Sequence, residues 1–470
     1  MIQSDDWMVN YAGYEKIISI YEKGEGRGIF SSVKAKSLVV VINADVFVLS
    51  VFSVGPTGVK KFNRRKIGQL ETNVGEVFID ENNTSQIAIC DQQKLYIWNY
   101  STDSFTIATL PVDVVPGYVT YQNTRFVIPD TKTGSWYASK EGDGLNWFPA
   151  PGGLPYQGAI QTKSDLGKVT VRFPGRSDLL FVMGETVSEL YVDVGSPVFP
   201  YKKNTSISFD YGCVSPSTVA TSEDFIVWLG TNERSEPVIM FSTGSQLNTI
   251  STDGINNKLQ RINNPSKSTA FLVKILGHLI YQLTFFDPKD NFTLLYDFTT
   301  SKFYDATDEN MNYHIIRDVA FFDGDYYFVS LNDGNIYLLN SDLYTYNYGI
   351  NSLGNKIEYD ISRIRVCSNF RLPTTDRFIV KNLTFMMQQG DDVRNQIDNP
   401  SYRPRIDLSI SYDGGITFGS YVSTKLNYRA NRINQIDFYK LGSGNDFVAQ
   451  FRFHTKGPVN VFNGVMEIKR

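Results

Sequence analysis

The chain has 470 residues, a formal net charge of −4, and is 42% hydrophobic and 20% charged. That is the composition of a globular protein with a substantial core, and the length suits two or three domains at roughly 150 residues each. The longest apolar runs, 38–42 and 46–52, are strand-sized and far short of the ~20 residues that span a bilayer, and the acidic balance argues against a surface built to grip nucleic-acid phosphates.

Aromatic residues reach 14%, with 28 Tyr and 32 Phe against 8 Met and 5 Trp, which favours strands and turns over helices. Residues 1–27 read as an N-terminal arm that lacks the basic start and apolar core of a signal peptide. From 28 to about 353 the chain is a succession of short alternating strands broken by turn clusters. The strands 77–79, 86–90, 94–100 and 105–108 form an antiparallel meander the size of one propeller blade. The order recurs at 276–283, 292–297 and 302–305, and again at 318–322, 326–331 and 336–339. At ~40–50 residues per blade the segment holds about six or seven blades, with centres near residues 40, 90, 125, 180, 225, 280 and 328. The rival is a pair of β-sandwiches; even spacing and scarce helical periodicity favour the propeller. Beyond 353 the texture changes. Longer amphipathic strands at 357–366, 378–387, 406–412, 435–439, 447–454 and 459–468, with a polar loop over 388–404, predict a C-terminal β-sandwich-like domain over 354–470. The fold class expected is therefore all-β: a six- or seven-bladed β-propeller followed by a β-sandwich-like domain.

Two clusters invite a chemical reading. Ser411, Asp413, Gly415, Thr417 and Phe418 fit the pattern S-x-D-x-G-x-T-aromatic, which resembles the Asp-box, a β-hairpin turn common in sialidases. The Asp carboxylate accepts bonds from turn groups, Gly supplies positive φ, and the aromatic packs beneath. A looser version runs from Ser139 to Trp147. As chemistry this would be a sialidase-like, glycan-binding or glycan-cleaving propeller; as structure it is a hairpin only, and the better match lies outside the propeller. Sialidases also need an arginine cluster, and Arg27, Arg125, Arg172, Arg176 and Arg234 show no clustered spacing. The second cluster is basic: Lys60, Lys61, Arg64, Arg65 and Lys66. It reads either as a contact to DNA or an acidic partner, or as a solvated inter-strand loop. Cys90, Cys213 and Cys367 are an odd, widely spaced set, expected as buried free thiols. His278, His314 and His454 are too scattered for a His-rich metal site. No catalytic, cofactor-binding or metal-ligating residue is expected.

The segment Asp210-Tyr211-Gly212-Cys213-Val214-Ser215-Pro216 leads to Phe225-Ile226-Val227-Trp228-Leu229-Gly230, then Val238-Ile239-Met240-Phe241, then Ile250-Ser251-Thr252-Asp253-Gly254. That succession, with 179–191 before it, resembles a propeller blade of short-tailed phage tail proteins. The C-terminal stretches 408–419 and 451–460 resemble the packaged-DNA stabilisation protein family of podoviruses, as do Gly13-Tyr14, Arg27-Gly28 and Tyr137-Ala138-Ser139-Lys140. The order and spacing of these matches cover nearly the whole chain. The resemblance implies a non-enzymatic virion protein, made in the host cytoplasm and mounted on the tail. Such proteins form a homo-oligomeric, hexameric hub ring. It lies beneath the portal and its adaptor ring, closes the exit after packaging, and carries needle, nozzle or fibre proteins. Contact with exiting DNA would be weak at most, and no membrane insertion is expected. The alternatives are a nozzle protein of another short-tailed lineage, the glycan-directed propeller, and a generic cellular scaffold. Asp413, Gly415, Phe418 and Trp228 are expected to matter for folding.

Overall fold

The run Leu38-Val39-Val40-Val41-Ile42 explains the architecture. Every residue in it has no measurable exposure, so the strand is covered on both faces. Leu38, Val40 and Ile42 pack into one apolar cluster and Val39 and Val41 into another. A strand that feeds two cores belongs to a sheet wedged between two other sheets. The computed structural model, which describes residues 2–4, 7–55, 60–148, 153–196, 199–389, 403–426 and 432–469, shows seven such wedges. It is 57% strand and 2% helix.

Each wedge is an antiparallel sheet built around four strands. Blade 1 is Gly26–Ser32, Ser37–Ile42, Asp45–Val54 and Lys60–Gln69. Blades 2, 3 and 4 follow over 78–107, 120–159 and 167–209. In blade 5, over 212–249, the inner strand is split by a 3-10 turn at Pro216–Thr218. Blade 6 is Ser268–Ile275, His278–Phe285, Phe292–Asp297 and Lys302–Ala306. Blade 7 takes three strands from Ile316–Phe322, Asp325–Ser330 and Gly334–Asn340. The seven blades answer the six-or-seven count, and their centres fall near the positions the spacing predicts except in blade 3, where 125 lies at the start of the blade.

The fourth strand of blade 7 is Gly13–Tyr21, antiparallel to Gly334–Asn340 with Gly13 opposite Asn340 and Tyr21 opposite Gly334. The ring is thus closed without a covalent bond, by the two ends of the propeller chain. Thr345–Ile350 pairs with the other edge of Gly13–Tyr21 in parallel, and Lys356–Asp360 extends the sheet further. Residues 1–27 are therefore no free arm. Besides Gly13–Tyr21, the short strands Ile2–Ser4 and Trp7–Val9 join a C-terminal sheet, where Met8 lies opposite Val461. The stretch 357–366, expected as one strand, is two strands in different sheets, interrupted at Ile361 and Ser362.

Every seam between neighbouring blades carries a hydrogen bond. Ile29 N donates to Asp318 Oδ2 (3.1 Å) between blades 7 and 1, and Val77 N to the Arg27 carbonyl (3.1 Å) between 1 and 2. Tyr121 N donates to Asp80 Oδ2 (2.6 Å), Thr170 Oγ1 to the Val127 carbonyl (3.2 Å) and Ser188 Oγ to the Tyr211 carbonyl (2.6 Å). Ser217 Oγ reaches the Ser268 carbonyl (2.5 Å) and Thr269 Oγ1 the Arg317 carbonyl (2.9 Å). Within blade 5 the fully buried Trp228, packed against blade 4, donates Nε1 to the Gly212 carbonyl at 3.0 Å, joining two of the stretches that carry the family resemblance.

The C-terminal part is a two-sheet sandwich. One sheet orders the two N-terminal strands, Asn460–Lys469, Phe378–Gln389 and Arg432–Tyr439; the other orders Arg363–Val366, Asp446–His454, Arg405–Ser411 and Val422–Lys425. Phe385, Met387 and Phe438 of the first pack with Ile406, Leu408, Phe451 and Phe453 of the second. Most of the polar loop expected over 388–404, at 390–402, lies outside the described residues.

Candidate functional site

The basic cluster is a strand, not a loop: Lys60–Gln69 is the outermost strand of blade 1. Alternation sends successive side chains to opposite neighbours. On one face, Lys60 Nζ meets Asp325 (2.7 Å) and Asp323 (3.2 Å) of blade 7, Phe62 packs edge-on to Tyr327 at 5.3 Å, and Arg64 donates to the Ser19 carbonyl at 3.3 Å. On the other, Arg65 pairs with Asp103 of blade 2 at 2.5 Å and Ile67 joins the core shared with that blade. Lys66 pairs with Asp45 at 2.6 Å, and Lys61 is exposed. Three of the five cations are thus held by aspartates. The strand stitches blade 1 to both neighbours and charges an edge that would otherwise invite a further strand.

Asp413 organises the turn after Arg405–Ser411. Its Oδ1 accepts from Ser411 Oγ (2.6 Å), Ile416 N (3.0 Å) and Thr417 N (2.9 Å), and its Oδ2 from Thr417 Oγ1 (2.5 Å). Gly414 and Gly415 have φ of 78° and 96°, which only glycine adopts without strain. Phe418 is half-buried rather than a core ring. Bonds from the Ser411 and Thr417 side chains and the turn backbone hold the Asp413 carboxyl well below the usual carboxylate range. A depressed acid stabilises the fold above its unfolded pKa, and that stability is lost as pH falls through the folded value. Asp413→Ala is expected to lower the thermal midpoint at neutral pH, and by less in strong acid; an unchanged midpoint would mean the glycines alone set the turn. The looser motif in blade 3 has the buried aromatic: Trp147 is fully enclosed, donating Nε1 to the Gly144 carbonyl at 2.9 Å, while Asp143 Oδ1 accepts from Leu145 N at 3.0 Å.

The five arginines weighed for a substrate carboxylate are not brought together. Arg27 is buried in blade 1, donating to the carbonyls of Gly75, Asn43 and Thr72. Arg125 of blade 3 binds the Ser139 carbonyl and Glu141, Arg176 pairs with Asp178, and Arg172 and Arg234 are exposed on blades 4 and 5. Cys90 and Cys213 are buried free thiols that burial pushes up to about 12, whereas Cys367 is only half-buried. Among the described residues no group of three or more His, Cys, Asp and Glu is placed to hold a metal ion.

Sequence reasoning missed a charged cavity of about 210 Å³ lined by the inner edges of the blades. Arg27 of blade 1, Glu76 beside blade 2, Tyr118 beside blade 3 and Arg317 and Asp318 of blade 7 line it. Arg317 is 2% exposed, with Nη1 3.4 Å from Glu76 and Nη2 paired with Glu25. The only sequence signal was polar residues, Arg317-Asp318 and Asp80, inside otherwise apolar inner strands. Burial raises Glu76 and pushes Asp318 up to about 6. A raised acid favours the fold fully below its unfolded pKa, and that contribution is lost as pH rises through the folded value. Two units correspond to about 3 kcal/mol. Asp318→Asn is therefore expected to gain stability relative to the parent between pH 4 and 7.5 in urea melts. The same difference at both pH values would overturn the assignment.

Comparison with known proteins gives remote structural likenesses and one family. A catalytically inactive virginiamycin B lyase from Staphylococcus aureus, crystallised with quinupristin, is 11% identical (TM-score 0.45), covering 70% of this chain and 99% of that one. A chain of the mitotic checkpoint complex is 12% identical (TM-score 0.43), covering 72% and 95%. The extracellular domain of a B. thetaiotaomicron one-component system is 12% identical (TM-score 0.44), covering 82% and 45%. No curated protein matches the sequence. The family model described as "Bacteriophage P22 Gp10, beta-propeller" matches residues 57–344, from the edge of blade 1 through blade 7. With more than half of the chain matched, this protein belongs to that phage packaged-DNA stabilisation family, as a structural β-propeller.

Proposed function

We propose that this protein is the tail hub of a short-tailed phage: a hexameric ring on the virion, beneath the portal and its adaptor ring, that seals the exit after packaging and mounts the needle, nozzle or fibre proteins. The family match over 57–344 carries the reading. The fold is consistent with it. A propeller whose seven seams are each hydrogen-bonded is a stiff building block, and a ring of identical copies needs heterologous contacts that close on themselves. A net charge of −4, with most of the basic strand already paired, leaves little to retard DNA on its way out. The role proposed is structural, with no catalytic step.

The test is disruption of the gene in its phage, followed by imaging of the particles. Heads that package DNA and then lose it, with tails ending at the adaptor, are the expected result. Full heads with complete tails that fail only to adsorb would overturn the hub reading.

A further inference from the structure

The propeller and the sandwich meet along Arg363–Val366. Alternation puts Arg363 and Arg365 on one face of this strand. Arg363 is buried and locks the seam, donating to the carbonyls of Thr455 and Gly457 (2.9 Å each) and Tyr344 (3.0 Å). Arg365, two residues on, lines a cavity of about 380 Å³ between blade 6 and the sandwich. Its main chain pairs with Phe451, but its half-buried guanidinium makes no hydrogen bond or ion pair with another described residue. In the same cavity Asn10 is 5% exposed, and its Oδ1 has no hydrogen-bond partner among the described residues. The rest of the lining includes the apolar Leu295, Phe303 and Ile361, and one acid, Asp305, whose charge is met by Lys258 at 2.9 Å.

A part-open cavity that combines apolar walls with a few polar groups at a junction of two units is a form that ligand sites take. A buried acceptor without a donor is a standing cost that an incoming N–H or O–H removes. A guanidinium without an acid is the usual receptor for a carboxylate. We propose that this seam cavity binds a carboxylate on an apolar stem that also carries a neighbouring N–H. The carboxylate sits on Arg365, the N–H donates to Asn10 Oδ1, and the stem lies against Leu295, Phe303 and Ile361. A free small acid and the C-terminal residue of a bound polypeptide share this chemistry. The site does not depend on the tail-hub reading.

The test uses the full chain and calorimetric titration with N-acetyl-leucine, with N-acetyl-leucinamide as the uncharged control. The acid is expected to bind and the amide not. Arg365→Gln is expected to weaken binding at least tenfold while leaving the melting temperature within a few degrees of the parent. Arg365→Lys, which keeps charge but loses the planar fork, falls between. A hexapeptide ending in a leucine carboxylate separates the two sources: at least tenfold tighter binding than the acid assigns a polypeptide terminus, and equal or weaker binding a small acid. Absence of binding by both acid and peptide at millimolar concentration, equal binding of acid and amide, or unchanged affinity in Arg365→Gln overturns the proposal.

Discussion

Deletion of residues 1–21 leaves a chain that cannot close its ring. The loss exceeds that from any single substitution, because one deletion removes a whole strand from the middle of a sheet. Gly13–Tyr21 is flanked on one side by Gly334–Asn340 and on the other by Thr345–Ile350, so its absence orphans two rows of backbone groups. It also takes Tyr14 out of the core. That ring is fully buried, stacked on Tyr346 at 4.5 Å and edge-on to Phe328 at 5.4 Å and Tyr337 at 5.5 Å. Truncating a single buried large aromatic to alanine costs about 3–5 kcal/mol, already a large part of a typical domain's stability of about 5–15 kcal/mol. The truncated chain is expected to lose its cooperative thermal transition and to aggregate during size-exclusion chromatography. A truncation that melts within a few degrees of the full chain would show that the ring closes without this strand.

Arg317→Met is the second large effect. Arg317 is buried between two acids, Glu25 and Glu76, with its guanidinium over the Phe286 ring at 5.2 Å from the centroid. Removing one partner of a buried ion pair costs about 3–5 kcal/mol, because the other charge is left without compensation. Burial already raises Glu76, and Arg317 is what opposes that rise. Without the arginine the acid climbs further, so the variant recovers as the pH falls and the carboxyls take up protons. The cost measured by urea unfolding is expected to be smaller at pH 5 than at pH 7.5. Adding Glu76→Gln to Arg317→Met should restore part of it. An equal cost at both pH values would assign the loss to packing alone.

The blades were legible because each is local. A four-stranded meander needs only alternation and turn residues, and both repeat along 77–108, 276–305 and 318–339. The closing strand was not legible. Gly13–Tyr21 pairs with a segment more than three hundred residues away, and no periodicity within 1–27 marks a partner at that distance. The same holds for the charged cavity at the inner edges, whose Arg27, Glu76 and Arg317 belong to separate blades and meet only when the ring closes. The basic cluster shows a subtler failure. Composition identified Lys60 to Lys66 as a patch, but three of its aspartate partners belong to other blades: Asp103 and Asp323 sit in turns, and Asp325 opens a strand. Charge read along a sequence counts cations; only the fold says which are already answered.

The small volume of the inner cavity constrains where a genome can travel. About 210 Å³ holds a handful of waters at ~30 Å³ each, whereas the major groove of a duplex alone is ~12 Å wide. A duplex does not fit a cavity of that size, lined by Arg27, Arg317 and Glu76. In the proposed ring the passage must therefore lie between copies, framed by their outer surfaces. Opening it would be a matter of how neighbouring subunits tilt or slide, with each propeller turning as a solid part.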